Sequence, residues 1–96
     1  MNKYSVDKLP RDVRLEIAHK HKKLRKQRGL SQKELSERSG VSLGSLKRFE
    51  TKGQVSLESL LKLVFVLGRL SDFESVLKPE NNLKHIEKLF DSQKKS

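Results

Sequence analysis

Residues Gln32 to Phe49 read QKELSERSGVSLGSLKRF, and this stretch decides the fold. Two short helical runs are parted by a turn centred on Gly40, which has the backbone freedom a tight turn needs. Leu35, Val41, Leu46 and Phe49 are spaced so that all four face one core. Ser36 is small and follows Leu35, where two steeply crossing helices come close. Ser31 starts the first run, and Glu34 three positions on completes a capping box in which each side chain satisfies an orphan backbone N–H. That helix runs to about Ser39, and Ser42 caps the next, from Leu43 to about Glu50.

The pattern extends in both directions. Upstream, Pro10 suits a first helical turn and Asp12 adds favourable charge there. Nothing breaks a helix from Pro10 to Gln27, with Val13, Ile17, His21 and Leu24 on one face and Gly29 as its end. Downstream, Gly53 marks a turn and Ser56 caps a fourth helix with Leu57, Leu60, Leu61, Val64 and Leu67 as its stripe and Gly68 at its end. Ser71 with Glu74 repeats the capping box for a short fifth helix, Asp72–Leu77, closed by Pro79. Asn82 caps a last helix with Leu83, Ile86, Leu89 and Phe90 on one side, before a polar end at Asp91–Ser96. No stretch alternates with strand period. The reading is all-α: a flexible arm over residues 1–9, a helical domain over 10–78, and a short helix with a basic tail over 79–96.

Composition narrows the function. The 96 residues leave room for one small domain and exclude a barrel or a multi-layer α/β enzyme. The absence of cysteine removes disulfides and thiolate metal sites and fits a reducing compartment, the cytoplasm. No apolar run approaches the roughly 20 residues that span a membrane. Lys and Arg number 22 against 12 Asp and Glu, a formal charge of +10. Residues 1–54 hold 15 basic and 6 acidic residues and so carry nearly all of it. A charge so large on so short a chain suggests a polyanionic partner, nucleic acid before membrane.

The turn spacing is that of a DNA-binding helix-turn-helix, in which the second helix enters the major groove with its leading residues at base edges. The combined pattern LRKQRGLSQKELSERSGVS, RFE and SLESLLKLVFVLG, over roughly Leu24–Gly68, resembles the phage-repressor (Cro/CI, or XRE) helix-turn-helix family. The resemblance implies a five-helix, lambda-repressor-like domain, here with an additional C-terminal helix. It also implies a sequence-specific regulator that binds double-stranded operator DNA as a homodimer, in the bacterial cytoplasm or at the nucleoid. An ion pair between Arg25 and Glu50 is expected on the same basis, fastening the third helix to the first.

Carried over by position, Leu43, Gly44, Lys47 and Arg48 fall where the family meets bases or the groove, and Gln32, Ser42, Ser45, Thr51 and Lys52 where it meets phosphates. Lys47 or Arg48 can donate to guanine O6 and N7, and Leu43 can touch a thymine methyl. Gly44 departs from the family's longer polar side chain and offers no readout, which shifts weight toward DNA shape. The turn from Thr51 to Val55 is one residue short of the commoner pattern.

Leu63, Phe65 and Val66 lie off the expected stripe of the fourth helix, so either later segments or a second subunit covers them. The stretch GRLSDFESVLKPE and the segment after it are similar to regulators of the HipB antitoxin type. That similarity implies a repressor that also binds a HipA-like kinase toxin and controls its own operon. Leu83, Ile86, Leu89 and Phe90 are then core, dimer packing or the partner-binding edge. An enzyme is not expected. His19 and His21 diverge on a helix and His85 is remote, so no metal or cofactor site is expected, and there is no nucleophile elbow or phosphate-cradling loop. His21 reads as a partly buried packing residue.

Overall fold

The computed structural model describes residues 8–80. The expected helix from Asn82, its apolar side and the tail lie outside the described residues, as does the arm up to residue 7. Four α-helices follow in order: α1 (Pro10–Gln27), α2 (Gln32–Ser39), α3 (Leu43–Lys52) and α4 (Leu57–Val66), then a 3-10 turn, Leu70–Phe73. Among the described residues there is no strand.

Local chemistry sets the ends of the helices. The Asp12 carboxylate accepts from the Leu9 N–H at 2.9 Å, so α1 is capped from inside its first turn. Ser31 Oγ accepts from the Glu34 N–H and the Glu34 carboxylate accepts from the Ser31 N–H, closing the capping box of α2. Gly40 sits at φ +80°, and α2's own serines satisfy the turn. Ser36 Oγ donates to Val41 O at 2.6 Å, and Ser39 Oγ accepts from Val41 N at 3.1 Å. Ser36 thus ties the turn down in addition to leaving room there.

Leu35, Val41, Leu46 and Phe49 are buried together with Ala18, Leu60, Leu63, Val64 and Leu67. Burying a large apolar side chain is worth about 1.5–3 kcal/mol, so this cluster is what holds the helices together.

Several expectations are corrected. α3 runs two residues past Glu50, through Thr51 and Lys52. The Thr51 hydroxyl bonds back to Lys47 O at 2.8 Å, and Gly53, at φ +69°, ends the helix one turn later by donating to Phe49 O. On α4, Leu63 belongs to the core while Leu57 is exposed, so the buried side is rotated from the expected stripe. Val13 is exposed on α1, and Ala18 is buried instead. The fifth α-helix is replaced by the 3-10 turn, and the Ser71–Glu74 side-chain box does not form. Leu70 and Phe73 are three residues apart and both pack on the core, which suits a period of three. Asp72 is taken by Arg69 at 2.8 Å, and Leu77 adopts φ +60°, which stops any helix there.

Candidate nucleic-acid interface

The site is built on α3. Leu46, Phe49 and Glu50 fall at helical spacing on its buried side. Gly44, Ser45, Lys47, Arg48, Thr51 and Lys52 are exposed on the other, and Leu43 is half-buried at the leading end. Two expected base-reading side chains, Lys47 and Arg48, therefore stand in solvent beside each other.

Individual partners narrow what each side chain can do. Ser42 is the α3 cap: its Oγ accepts from Ser45 N at 3.1 Å and donates to Ser45 Oγ at 2.9 Å. That hydroxyl is used up by the helix, whereas the Ser45 proton remains to be given outward. The Thr51 proton goes to Lys47 O, which leaves its oxygen as an acceptor only. Lys52 is exposed in the last turn of α3. Arg48 Nε donates to Gln54 Oε1 at 2.7 Å, and its terminal amino groups face no protein partner among the described residues. Gln54 was not singled out by the sequence. It lies in the bend after Gly53, and only the folded bend brings it back to Arg48.

The buried side of α3 is held by a polar cluster. Arg25 Nε donates to Glu50 Oε2 and Arg25 Nη2 to Glu50 Oε1, each at 2.9 Å. His21 Nδ1 meets Oε2 at 2.8 Å, and Gln32 Nε2 donates to Oε1 at 3.0 Å. These contacts fill the carboxylate's acceptor positions. Arg25 Nη1 reaches on to Leu30 O at 2.8 Å. The cluster thus joins α1, the α1–α2 loop, the start of α2 and the end of α3. The His21 ring also stands edge-on to Phe49, with centroids 4.9 Å apart.

Burial by itself would raise the pKa of Glu50. Hydrogen bonds from His21, Arg25 and Gln32, with the charge of Arg25, outweigh this and lower it to about 2. Glu50 is therefore a carboxylate at neutral pH, and His21 must carry its proton on Nδ1 to donate to it. His21 Nε2 is buried and has no hydrogen-bond partner among the described residues.

The structure brings Arg25 and Glu50 into contact and places Gln32 with them. The Gln32 amide keeps one N–H and its oxygen beside the N-terminus of α2. His21, read from sequence as a packing residue, is also a member of this cluster. Its place one turn before Arg25, on the same face, was the available signal. Among the described residues no group of His, Asp or Glu is arranged to hold a metal ion, and no helix is long and apolar enough to cross a membrane.

No curated protein matches this chain, and no solved structure does. A family model described as helix-turn-helix (HTH_3) matches residues 22–73, from within α1 to the end of the 3-10 turn. With more than half of its 96 residues matched and the motif seated on an exposed α3, the chain belongs to this XRE-type helix-turn-helix family, and its function is of the DNA-binding regulatory kind.

Proposed function

We propose that the chain is a sequence-specific repressor that binds operator DNA as a dimer, each copy laying α3 in the major groove. The observation that carries this reading is the two-sidedness of α3: Lys47 and Arg48 are exposed on the outer side, Arg48 steadied by Gln54, while Glu50 is bound on the inner side. Arg48, and Lys47 beside it, donate to guanine O6 and N7, and Leu43 meets a thymine methyl. Gly44 leaves a gap there, so DNA shape supplies part of the selectivity. Ser45, Lys52 and the free N–H of Gln32 meet phosphates, together with the first N–H groups of α2 and α3. Ser42 contributes by capping α3, and Thr51 through its backbone neighbourhood. The protein works in the bacterial cytoplasm, at the nucleoid, and represses its own operon.

The test is binding to the DNA upstream of its own gene as salt rises. A specific complex with a steep negative salt slope is expected. Weak binding without sequence preference would overturn the repressor reading. It would favour the alternative, an antitoxin that neutralises a HipA-like kinase toxin with DNA binding secondary.

A further inference from the structure

Between α1, α4 and the 3-10 turn lies a cavity of about 450 Å³. Its walls are apolar: Ile17 and Leu24 from α1, Leu60 and Val64 from α4, and Phe73 from the turn. Its rim is basic. Lys20 and Lys23 line it, both exposed and both without an ion pair among the described residues. The other charged lining residues, Arg69 and Asp72, are tied to each other at 2.8 Å, which leaves the two lysine charges unmatched. His21 belongs to the lining as well. With its Nδ1 proton given to Glu50, Nε2 carries a lone pair, and this buried acceptor has no partner among the described residues. A buried polar atom left unsatisfied is unfavourable, so beside a cavity it marks a place for a hydrogen-bond donor.

We propose that this cavity binds a small organic acid with a compact apolar body, a carboxylate at one end and an N–H or O–H donor on the body. Mostly apolar walls with a few polar groups, in a few hundred Å³, are the ordinary make-up of a small-molecule site. The body covers the five apolar side chains, the carboxylate meets Lys20 and Lys23 at the rim, and the donor satisfies His21 Nε2. A neutral hydrocarbon leaves the lysines unanswered, and a small inorganic anion leaves the walls unfilled. Nε2 lies just beneath the lining, so the donor reaches it as the imidazole tips toward the ligand. That tilt works against the 2.8 Å contact of Nδ1 with Glu50, which joins the site to the cluster that fixes the end of α3.

Indole-3-acetate carries all three features and serves as the probe. Titrated into the full chain labelled with ¹⁵N-histidine, it should bind saturably and shift the Nε2 resonance of His21 toward that of a hydrogen-bonded acceptor, while His19, outside the cavity, stays in place. 1-Methylindole-3-acetate lacks the donor and indole-3-acetamide lacks the charge, so each should bind about tenfold more weakly. Lys20→Glu combined with Lys23→Glu, at two exposed positions, should also weaken the probe about tenfold. Ile17→Trp, which fills the cavity, should abolish binding, with circular dichroism to check that the helices remain. No saturable binding by about 1 mM probe overturns the site. Equal affinity in the double lysine variant overturns the acidic class of the ligand. A methylated probe that binds as tightly, or a His21 resonance that does not move, overturns the part given to Nε2. None of these measurements involves DNA, so their outcome is independent of the operator reading.

Discussion

Arg25 holds Glu50 by two parallel hydrogen bonds of 2.9 Å, with the Glu50 side chain only 1% exposed. The pair spans 25 residues of sequence and fastens the end of α3 to α1. A buried pair is costly to assemble and costlier to break, because removal of one partner leaves the other charged and unsatisfied. Glu50→Ala should therefore destabilise the domain by about 3–5 kcal/mol in urea unfolding. Replacing both partners by apolar residues, as in Arg25→Met with Glu50→Leu, should cost clearly less than Glu50→Ala alone. Additive losses would mean that the two residues do not act as a pair.

Acid should act through the same carboxylate. The pKa of Glu50 is lowered from 4.5 to about 2, so the folded state binds its proton more weakly than the unfolded chain does. The contribution to stability is then complete above about pH 4.5 and is lost as pH falls toward 2. Its size is of order 3 kcal/mol. Urea midpoints measured down this range should fall steeply for the wild type. Glu50→Gln should start lower and show a flatter acid limb. Parallel acid limbs in the two proteins would place the sensitivity elsewhere.

The glycines that end α2 and α3 should differ in their tolerance. Both have positive φ, but a Cβ on Gly40 would meet nothing, whereas one on Gly53 would lie 3.0 Å from the Arg14 backbone carbon and oxygen. Gly40→Ala should cost about 1 kcal/mol, the strain of a left-handed alanine. Gly53→Ala adds a collision with α1 backbone, which has no flexible end to move, and should cost about 3 kcal/mol. Gly44 lies inside α3 with open space around it, so Gly44→Ala should stabilise by about 0.5–1 kcal/mol. Thermal unfolding of the three variants gives the order directly, and equal losses at 40 and 53 would show that the approach to Arg14 is unimportant.

The central motif was legible because its signals are local. Ser31, Glu34, Gly40 and Ser42 each act within four residues of themselves, and the apolar positions of α2 and α3 follow helical spacing. The contact of Arg25 with Glu50 came only through family resemblance, since no local rule links residues so far apart. His21 and Gln54 were missed for the same reason, as their partners, Glu50 and Arg48, come near only after folding. The end of the domain was misread for a different cause. Ser71 and Glu74 have the right spacing for a cap, but docking Leu70 and Phe73 on the core decided the local geometry. The outer row of α4 could be seen as surplus apolar residues, yet which of them face inward depended on how α4 sits on α2.

Gln54 offers a way to separate positioning from contact at the DNA. Its oxygen accepts from Arg48 Nε at 2.7 Å, which fixes the plane of the guanidinium while leaving the terminal amino groups to solvent. If Arg48 reads a guanine, Arg48→Ala should lose about 1–3 kcal/mol on the operator and relax preference at one base pair. Arg48→Lys should recover little, because an ammonium lacks the planar fork. Gln54→Ala should lose less, about threefold in affinity, and at the same base pair, since it only frees a side chain that was held in place. In the Arg48→Ala background Gln54→Ala should change nothing further. Anisotropy titrations against the operator and its single-base variants give all four values. A full additional loss in that background would make Gln54 a DNA contact in its own right and end its assignment as the support of Arg48.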